Sequence, residues 1–181
     1  MKANKTLSII LGGAALFVVL IIILAVRDGG EITSTGSGER TALAQEVPDL
    51  TLKDYDGNDV RLRDIEGDIV LLNAWATWCP FCVDEIPDFV QAQNEFEGQL
   101  TVVLINRQES FNQAKKFTDD LGATGNVITL LDPSDSFYRK IGGFAMPETL
   151  FVKDNSIVLH KRGPMTLQEV KLRVKTALEP T

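Results

Sequence analysis

The segment from residue 68 to residue 82 reads DIVLLNAWATWCPFC and combines a buried-strand pattern with the start of a helix. Residues 68–76 form a nearly continuous apolar run, which is typical of a strand covered on both faces of a sheet. Residues 80–96 then carry a helical pattern, and residues 100–105 (LTVVLI) form a second apolar run. Such a strand, helix and strand unit crosses over with a right hand, which predicts two parallel strands in one sheet.

Shorter elements on both sides of this unit complete the predicted sheet. Residues 49–53 and 60–63 alternate around an Asp-Gly turn, which favours a hairpin. Later in the chain, the patterns predict helices over residues 110–121, 134–141 and 166–178, and strands over residues 127–131, 149–153 and 157–161. The sequence therefore predicts an α/β domain with a mixed central sheet flanked by helices.

The front of the chain carries a candidate membrane anchor. Residues 7–26 are twenty residues without a charge, long enough to cross a bilayer as a helix. A cleaved signal peptide is the alternative, but its apolar region is usually about 7 to 15 residues long. Lys2 and Lys5 precede the span, which places the N-terminus in the cytoplasm. We expect residues 1–26 to hold the chain in the lipid bilayer of the cell membrane as a single pass.

The rest of the 181-residue chain is long enough for one domain. Residues 27–44 are rich in Gly, Ser and Thr and are interpreted as a flexible tether, so the domain spans residues 45–181 and lies outside the cytoplasm. Disulfide chemistry is permitted in such a compartment. A net charge of -7 excludes the broad basic surface that nucleic-acid binding requires, so no nucleic acid is expected among the partners.

The two cysteines of the chain, Cys79 and Cys82, lie where the buried strand turns into the helix. Free backbone NH groups and the positive end of the helix dipole favour a thiolate over a thiol at Cys79, which makes it the attacking sulfur. Cys82, one turn later, is the candidate resolving thiol that closes a disulfide after a mixed disulfide has formed. Pro80 suits the first helical position because no hydrogen bond needs its missing NH.

Other uses of the cysteine pair remain open. A structural disulfide is disfavoured because so small a loop stabilises the fold little. Two cysteines and one histidine are too few for a closed zinc site, so no metal is expected. No cofactor is expected either, apart from the redox-active disulfide between Cys79 and Cys82. A Cu(I)-binding chaperone is the main alternative, because adjacent thiolates suit that soft ion.

The run LLNAWATWCPFC (residues 71–82), together with Glu85, Pro87 and Met146-Pro147, resembles the thioredoxin-like proteins of the TlpA and ResA type. The resemblance covers residues 45–181. It implies a thioredoxin fold with an added N-terminal β-hairpin, usually anchored outside the cytoplasmic membrane. It also implies a thiol-disulfide oxidoreductase that keeps the cysteines of a particular partner protein reduced.

The resemblance also implies roles for single residues. Cys79 corresponds to the nucleophile, Cys82 to the resolving cysteine and Glu85 to a glutamate that moves protons. Pro147 corresponds to a cis-proline beside the active site. A solvated carboxylate on a charged helix face is the alternative for Glu85. The residues expected to bind the substrate are Trp78, Pro80, Phe81, Met146 and Pro147.

Pro80 and Phe81 between the cysteines depart from the branch, which more often has proline before the second cysteine. This departure leaves the direction of electron flow open, so a disulfide oxidant or isomerase is a further alternative. The expected substrate is a protein with a disulfide or cysteine pair, such as an apocytochrome c or a copper-site assembly factor, and a membrane thiol donor would supply the electrons. A peroxidase is disfavoured because no threonine and arginine are arranged around Cys79. His160 is expected to be a plain surface residue.

Overall fold

The computed structural model describes residues 45–179. The predicted anchor over residues 1–26 and the tether over residues 27–44 lie outside the described residues. Between residues 45 and 179, no helix has both the length and the apolar character needed to cross a membrane.

Within the described residues, seven strands form one sheet in the order β2-β1-β5-β4-β3-β6-β7. The strands are β1 (Thr51–Asp54), β2 (Asp59–Arg61), β3 (Ile69–Trp75), β4 (Leu100–Arg107), β5 (Ile128–Asp132), β6 (Glu148–Lys153) and β7 (Ser156–Arg162). β3, β4 and β5 are parallel, and the remaining neighbours pair antiparallel. The predicted mixed sheet and N-terminal hairpin are confirmed.

The helices of the described part are α1 (Pro80–Glu95), α2 (Phe111–Asp120), α3 (Ser136–Lys140) and α4 (Leu167–Leu178). Hydroxyl caps begin two of them: the Ser110 hydroxyl accepts from the amide of Gln113, and the Thr166 hydroxyl accepts from the amide of Glu169. A short 3₁₀ turn, Leu62–Asp64, follows the hairpin.

The central strand β3 is buried along its whole length. Its alternate residues face two separate cores, as expected for a strand with period two. Leu71 and Trp75 belong to the core that also contains apolar side chains of α1, α2 and α4. Leu72 and Ala74 belong to the second core, which receives Phe137 of α3. Both faces of the sheet are therefore covered, which explains the continuous apolar run.

The strand register brings two segments that are distant in the sequence to the same edge of the sheet, at the ends of its inner strands β3 and β6. Ala74 near the end of β3 pairs with Glu148 at the start of β6. Because the pair is antiparallel, the chain that leaves β3 toward Cys79 and the chain that enters β6 through Pro147 lie at the same edge. β6 begins at Glu148, one residue before the predicted strand over residues 149–153.

Candidate active site

Cys79 is the N-cap of α1, with extended backbone angles of φ -98° and ψ 100°. Its Sγ accepts a hydrogen bond from the amide of Cys82 at 3.2 Å, and Pro80 occupies the first helical position. Cys79 and Cys82 are joined by a disulfide with a Cα–Cα distance of 5.3 Å, and both side chains are buried. The sulfur predicted to attack thus lies where a helix N-terminus stabilises negative charge.

Exposed aromatic side chains flank this disulfide. Trp78 and Phe81 are 63% and 57% exposed, although both border buried cysteines. Pro80 is exposed as well. All three predicted contact residues on this side are therefore accessible to a partner.

The Met146-Pro147 peptide bond is cis, as the resemblance implied. Pro147 is buried and Met146 is half-buried. The register of β6 against β3 places both residues at the sheet edge where Cys79 lies. The structure therefore brings together the two groups of predicted site residues, which are far apart in the sequence.

Glu85 lies one turn after Cys82 in α1, and its side chain is buried with only 2% of its surface exposed. Its Oε1 accepts from Nδ2 of Asn73 at 2.9 Å, and its Oε2 accepts from the amide of Met165 at 3.1 Å. Nδ2 of Asn73 also donates to Oγ1 of Thr149 at 3.0 Å. The alternative of a solvated helix carboxylate is therefore excluded.

Burial raises the pKa of Glu85 to about 8. The hydrogen bonds from Met165 and Asn73 and the nearby charge of Lys161 oppose this rise, whereas Asp88 adds to it. A groove of about 270 Å³ between the start of α1 and the loop before α4 reaches Glu85. The carboxyl is therefore mostly protonated at neutral pH and titrates in the range where thiols do.

Glu109 fixes the segment before Cys79, and sequence reasoning did not find it. Its Oε2 accepts from the amide of Thr77 at 2.9 Å and from Nδ2 of Asn106 at 2.7 Å. Its Oε1 accepts from the hydroxyl of Thr77 at 2.6 Å and from Nε2 of Gln113 at 2.8 Å. An acidic residue directly after a buried parallel strand was the available signal, because such residues lie at the edge where ligands bind.

Glu148 was also missed, because the predicted strand began one residue later. Its side chain is wholly buried, and its Oε2 lies 2.7 Å from Nε2 of His160. His160 was predicted to be a plain surface residue. This prediction was wrong: the ring is only 20% exposed and pairs with the buried carboxylate, a partner on the adjacent strand that one sequence cannot show.

No cluster of three or more His, Cys, Asp or Glu side chains that could hold a metal ion occurs between residues 45 and 179. The reactive groups that the structure places near the start of α1 are the two sulfurs of Cys79 and Cys82 and the carboxyl group of Glu85. Two adjacent sulfurs that form and break a bond carry two electrons. A carboxyl that titrates near pH 8 can carry the accompanying proton.

Comparison with known proteins agrees with this chemistry. Residues 43–161 match the model of the AhpC/TSA family. The thiol-disulfide oxidoreductase ResA of Geobacillus thermodenitrificans is 29% identical over 163 residues, which cover 88% of this chain and 92% of the relative. The thioredoxin-like protein YneN of Bacillus subtilis is 28% identical, with coverage of 86% and 94%.

The solved structures show the same fold. The pneumococcal exposed lipoprotein thioredoxin Etrx1 of Streptococcus pneumoniae is 25% identical and superimposes with a TM-score of 0.62. The match covers 71% of this chain and 99% of Etrx1. The predicted thioredoxin fold is confirmed. With its disulfide at the start of α1, this chain belongs to the AhpC/TSA family and is a thiol-disulfide oxidoreductase with a thioredoxin-like fold.

Proposed function

We propose that this chain is a membrane-tethered oxidoreductase that reduces a disulfide of a specific partner protein outside the cytoplasm. In the reduced chain, the Cys79 thiolate attacks one sulfur of the partner disulfide and releases the other as a thiolate. Cys82 then attacks Sγ of Cys79, forms the intramolecular disulfide and releases the second partner sulfur. The partner gains two electrons and the chain loses two.

The observation that carries this proposal is the position of Cys79 Sγ, which accepts the amide of Cys82 at 3.2 Å at the start of α1. This hydrogen bond and the helix dipole stabilise a thiolate more than a thiol. Cys79 is therefore the sulfur of the pair that is more readily present as the attacking thiolate.

Glu85 supplies the proton transfer in this scheme. The Cys82 thiol must lose its proton before it attacks, and a carboxylate on the same helix face, one turn away, is a suitable acceptor. Because burial brings the pKa of Glu85 to about 8, the protonated and ionised forms are both populated near neutral pH. The same group can return the proton when the disulfide is reduced again.

The proposed location is supported by the apolar N-terminal segment, and the proposed partner class by the resemblance to the ResA type. Residues 7–26 would anchor the chain and residues 27–44 would tether it, so the site would face a compartment that lacks cytoplasmic reductases. Electrons would then come from a membrane thiol donor. The partner class is a protein with a reducible cysteine pair, an apocytochrome c or a copper-site assembly factor, which fits the resemblance to ResA.

A trapping experiment tests the proposal. In Cys82→Ser the second attack is impossible, so the partner stays linked to Cys79 and can be identified by mass spectrometry from the membrane fraction. We expect one predominant adduct that dithiothreitol releases and that the Cys79→Ser, Cys82→Ser double variant lacks. Many unrelated adducts in equal amounts would contradict a specific partner.

A further inference from the structure

Phe144, in the loop that leads to the cis-proline, is 86% exposed, and no prediction assigned it a role. A single exposed apolar residue is ordinarily unremarkable. The backbone of this residue, however, is held firmly. The amides of Phe144 and Ala145 donate to Oε1 of Glu148 at 2.5 Å and 2.8 Å.

Glu148 is a wholly buried carboxylate, and burying a charge costs free energy unless partners compensate for it. His160 lies 2.7 Å from Oε2, and Nε of Arg162 lies 3.5 Å from Oε1. Burial alone would raise the pKa of Glu148, but the two amides and His160 hold it below its ordinary value. The anchoring group is therefore a charged acceptor, which forms the stronger kind of hydrogen bond.

Tyr138 of α3 fixes the same loop from another side. Its hydroxyl donates to the carbonyl of Ala145 at 2.9 Å. A Cβ at Gly143 would lie 2.5 Å from the Tyr138 ring, so only glycine allows this close approach. The guanidinium of Arg107 lies 3.4 Å from the ring centroid and is held by both carboxylate oxygens of Asp135.

The register places this loop at the reactive edge of the sheet. Ala74 pairs with Glu148, so Trp78, four residues after Ala74, and Phe144, four residues before Glu148, leave the sheet on the same side. Trp78 and Phe81 next to the cysteines are also exposed. The fold thus places an exposed phenylalanine, on a loop held by Glu148 and Tyr138, at the same end of the sheet as the two aromatic side chains that border the disulfide.

We propose that Phe144 is a specificity-determining residue that contacts an apolar side chain next to the reactive cysteine of the partner protein, with Glu148 and Tyr138 as its positioning residues. The proposal rests on the proposed function, since it concerns the partner that forms a mixed disulfide with Cys79. The partner segment approaches Cys79 in an extended form and places its apolar neighbour against Phe144.

Two glutathione-capped cysteine peptides serve as probes, one with Leu and one with Ser on both sides of the cysteine. The Cys79 thiolate attacks the peptide sulfur and releases glutathione thiolate, and Cys82 then releases the peptide thiolate as the chain is oxidised. The full chain is purified in a mild detergent, reduced with dithiothreitol and freed of the reductant. Glutathione disulfide reports the same chemistry without an apolar neighbour.

We expect the full chain to react faster with the Leu peptide than with the Ser peptide by about twofold to tenfold, the range of one aromatic contact. Phe144→Ser should bring this ratio close to one, because the reaction with the Leu peptide loses the contact with the aromatic ring. Leu172→Ser is the matched control, because Leu172 is 65% exposed on α4, and it should keep the ratio.

The positioning role has its own variants. Glu148→Ala should lower the ratio as Phe144→Ser does, whereas Glu148→Gln should keep it, because an amide oxygen still accepts both backbone NH groups. If Glu148→Ala does not fold, Tyr138→Phe removes only the hydrogen bond to Ala145 and should lower the ratio.

Two outcomes would overturn the proposal while thiol exchange stands: a ratio of one in the unmodified chain, or a ratio that persists in Phe144→Ser. Absence of exchange with glutathione disulfide in the unmodified chain would overturn the proposed function, and this proposal with it.

Discussion

Nδ2 of Asn73 lies 2.9 Å from Oε1 of Glu85, so a single buried hydrogen bond joins the central strand to the helix that begins at Cys79. Asn73 is uncharged and wholly buried. It can donate to Glu85 in both protonation states without adding a charge of its own. The titration of the carboxyl is therefore governed mainly by burial, and three of the following predictions concern this titration.

Replacing Glu85 with glutamine keeps the shape of the side chain and removes its titration. We expect disulfide exchange to slow by about 100-fold or more, because general acid-base assistance is typically of that size. The part of the pH dependence centred at about 8 should also disappear. Stopped-flow measurement of exchange with a protein disulfide such as insulin would show both effects.

Asp84→Asn is the matched control for this experiment, because Asp84 is the exposed carboxylate next to Glu85 in α1. It should change the rate little. An unchanged rate in Glu85→Gln across pH 5 to about 9 would remove Glu85 from the proposed proton transfer.

Burial of Glu85 also predicts how stability depends on pH. The pKa of Glu85 is about 8 in the folded chain against an ordinary value of 4.5, so the folded state binds more protons between these two pH values. The free energy of unfolding contributed by this group is therefore fully present below pH 4.5, falls as the pH rises and levels off above about 8. The steepest slope is about 1.4 kcal/mol per pH unit.

Urea unfolding of the oxidised chain and of Glu85→Gln at several pH values would measure this contribution. As the pH rises, the free energy of unfolding of Glu85→Gln should increase relative to that of the unmodified chain. Parallel curves from pH 5 to about 9 would show that Glu85 has an ordinary pKa in the folded chain.

Asn73→Leu removes the side-chain donor and keeps the branching of the side chain at Cγ. The hydrogen bond from Asn73 favours the ionised form of Glu85, so its loss should raise the pKa of Glu85 further above 8. A hydrogen bond to a charged group corresponds to a shift of about one to two pH units. An NMR titration of the glutamate side-chain carbons would report it.

Thr149→Val is the companion variant, because it removes the second acceptor of Asn73 and leaves the bond to Glu85 in place. We expect a smaller shift. If Asn73→Leu and the unmodified chain titrate alike, the hydrogen bond has no influence on the pKa of Glu85.

Glu109→Ala should loosen the segment that leads to Cys79. The variant loses four hydrogen bonds, two of them from Thr77, and leaves Nδ2 of Asn106 without this acceptor. We expect a loss of about 1 to 3 kcal/mol in the free energy of unfolding and slower exchange. Denaturant titration and the exchange assay measure the two effects.

Glu95→Ala provides a comparison for Glu109→Ala. Glu95 ends α1 and pairs with Lys171 across the surface, far along the helix from Cys79. Its loss should lower the free energy of unfolding less than the loss of Glu109 does and leave exchange unchanged. If Glu109→Ala exchanges as fast as the unmodified chain, the segment before Cys79 keeps its geometry without the Glu109 carboxylate.

The cysteine pair should titrate as one reversible two-electron couple. A redox titration of the full chain against mixtures of reduced and oxidised dithiothreitol, followed by thiol alkylation, would measure it. The Cys79→Ser, Cys82→Ser double variant should show no couple. Tight one-to-one Cu(I) binding under anaerobic conditions, without a reversible couple, would instead favour the copper chaperone.

Much of the fold followed from local patterns. The strand and helix positions were predictable because each element carries its own apolar period. The start of β6 at Glu148 was not predictable from the sequence, because glutamate is not a typical residue of a buried strand. Glu148 joins β6 only because Ala74 pairs with it and the amides of the preceding loop and His160 satisfy its charge.

The sequence by itself determined where the reactive sulfurs lie. A buried strand, a short turn and a helix that begins with Pro80 place Cys79 at the helix N-terminus, and this depends on residues close together in the chain. Only the tertiary structure decided the state of Glu85. Its surroundings come from Asn73, 12 residues earlier, and Met165, 80 residues later, and a pKa depends on which groups pack around the carboxyl in space rather than along the chain.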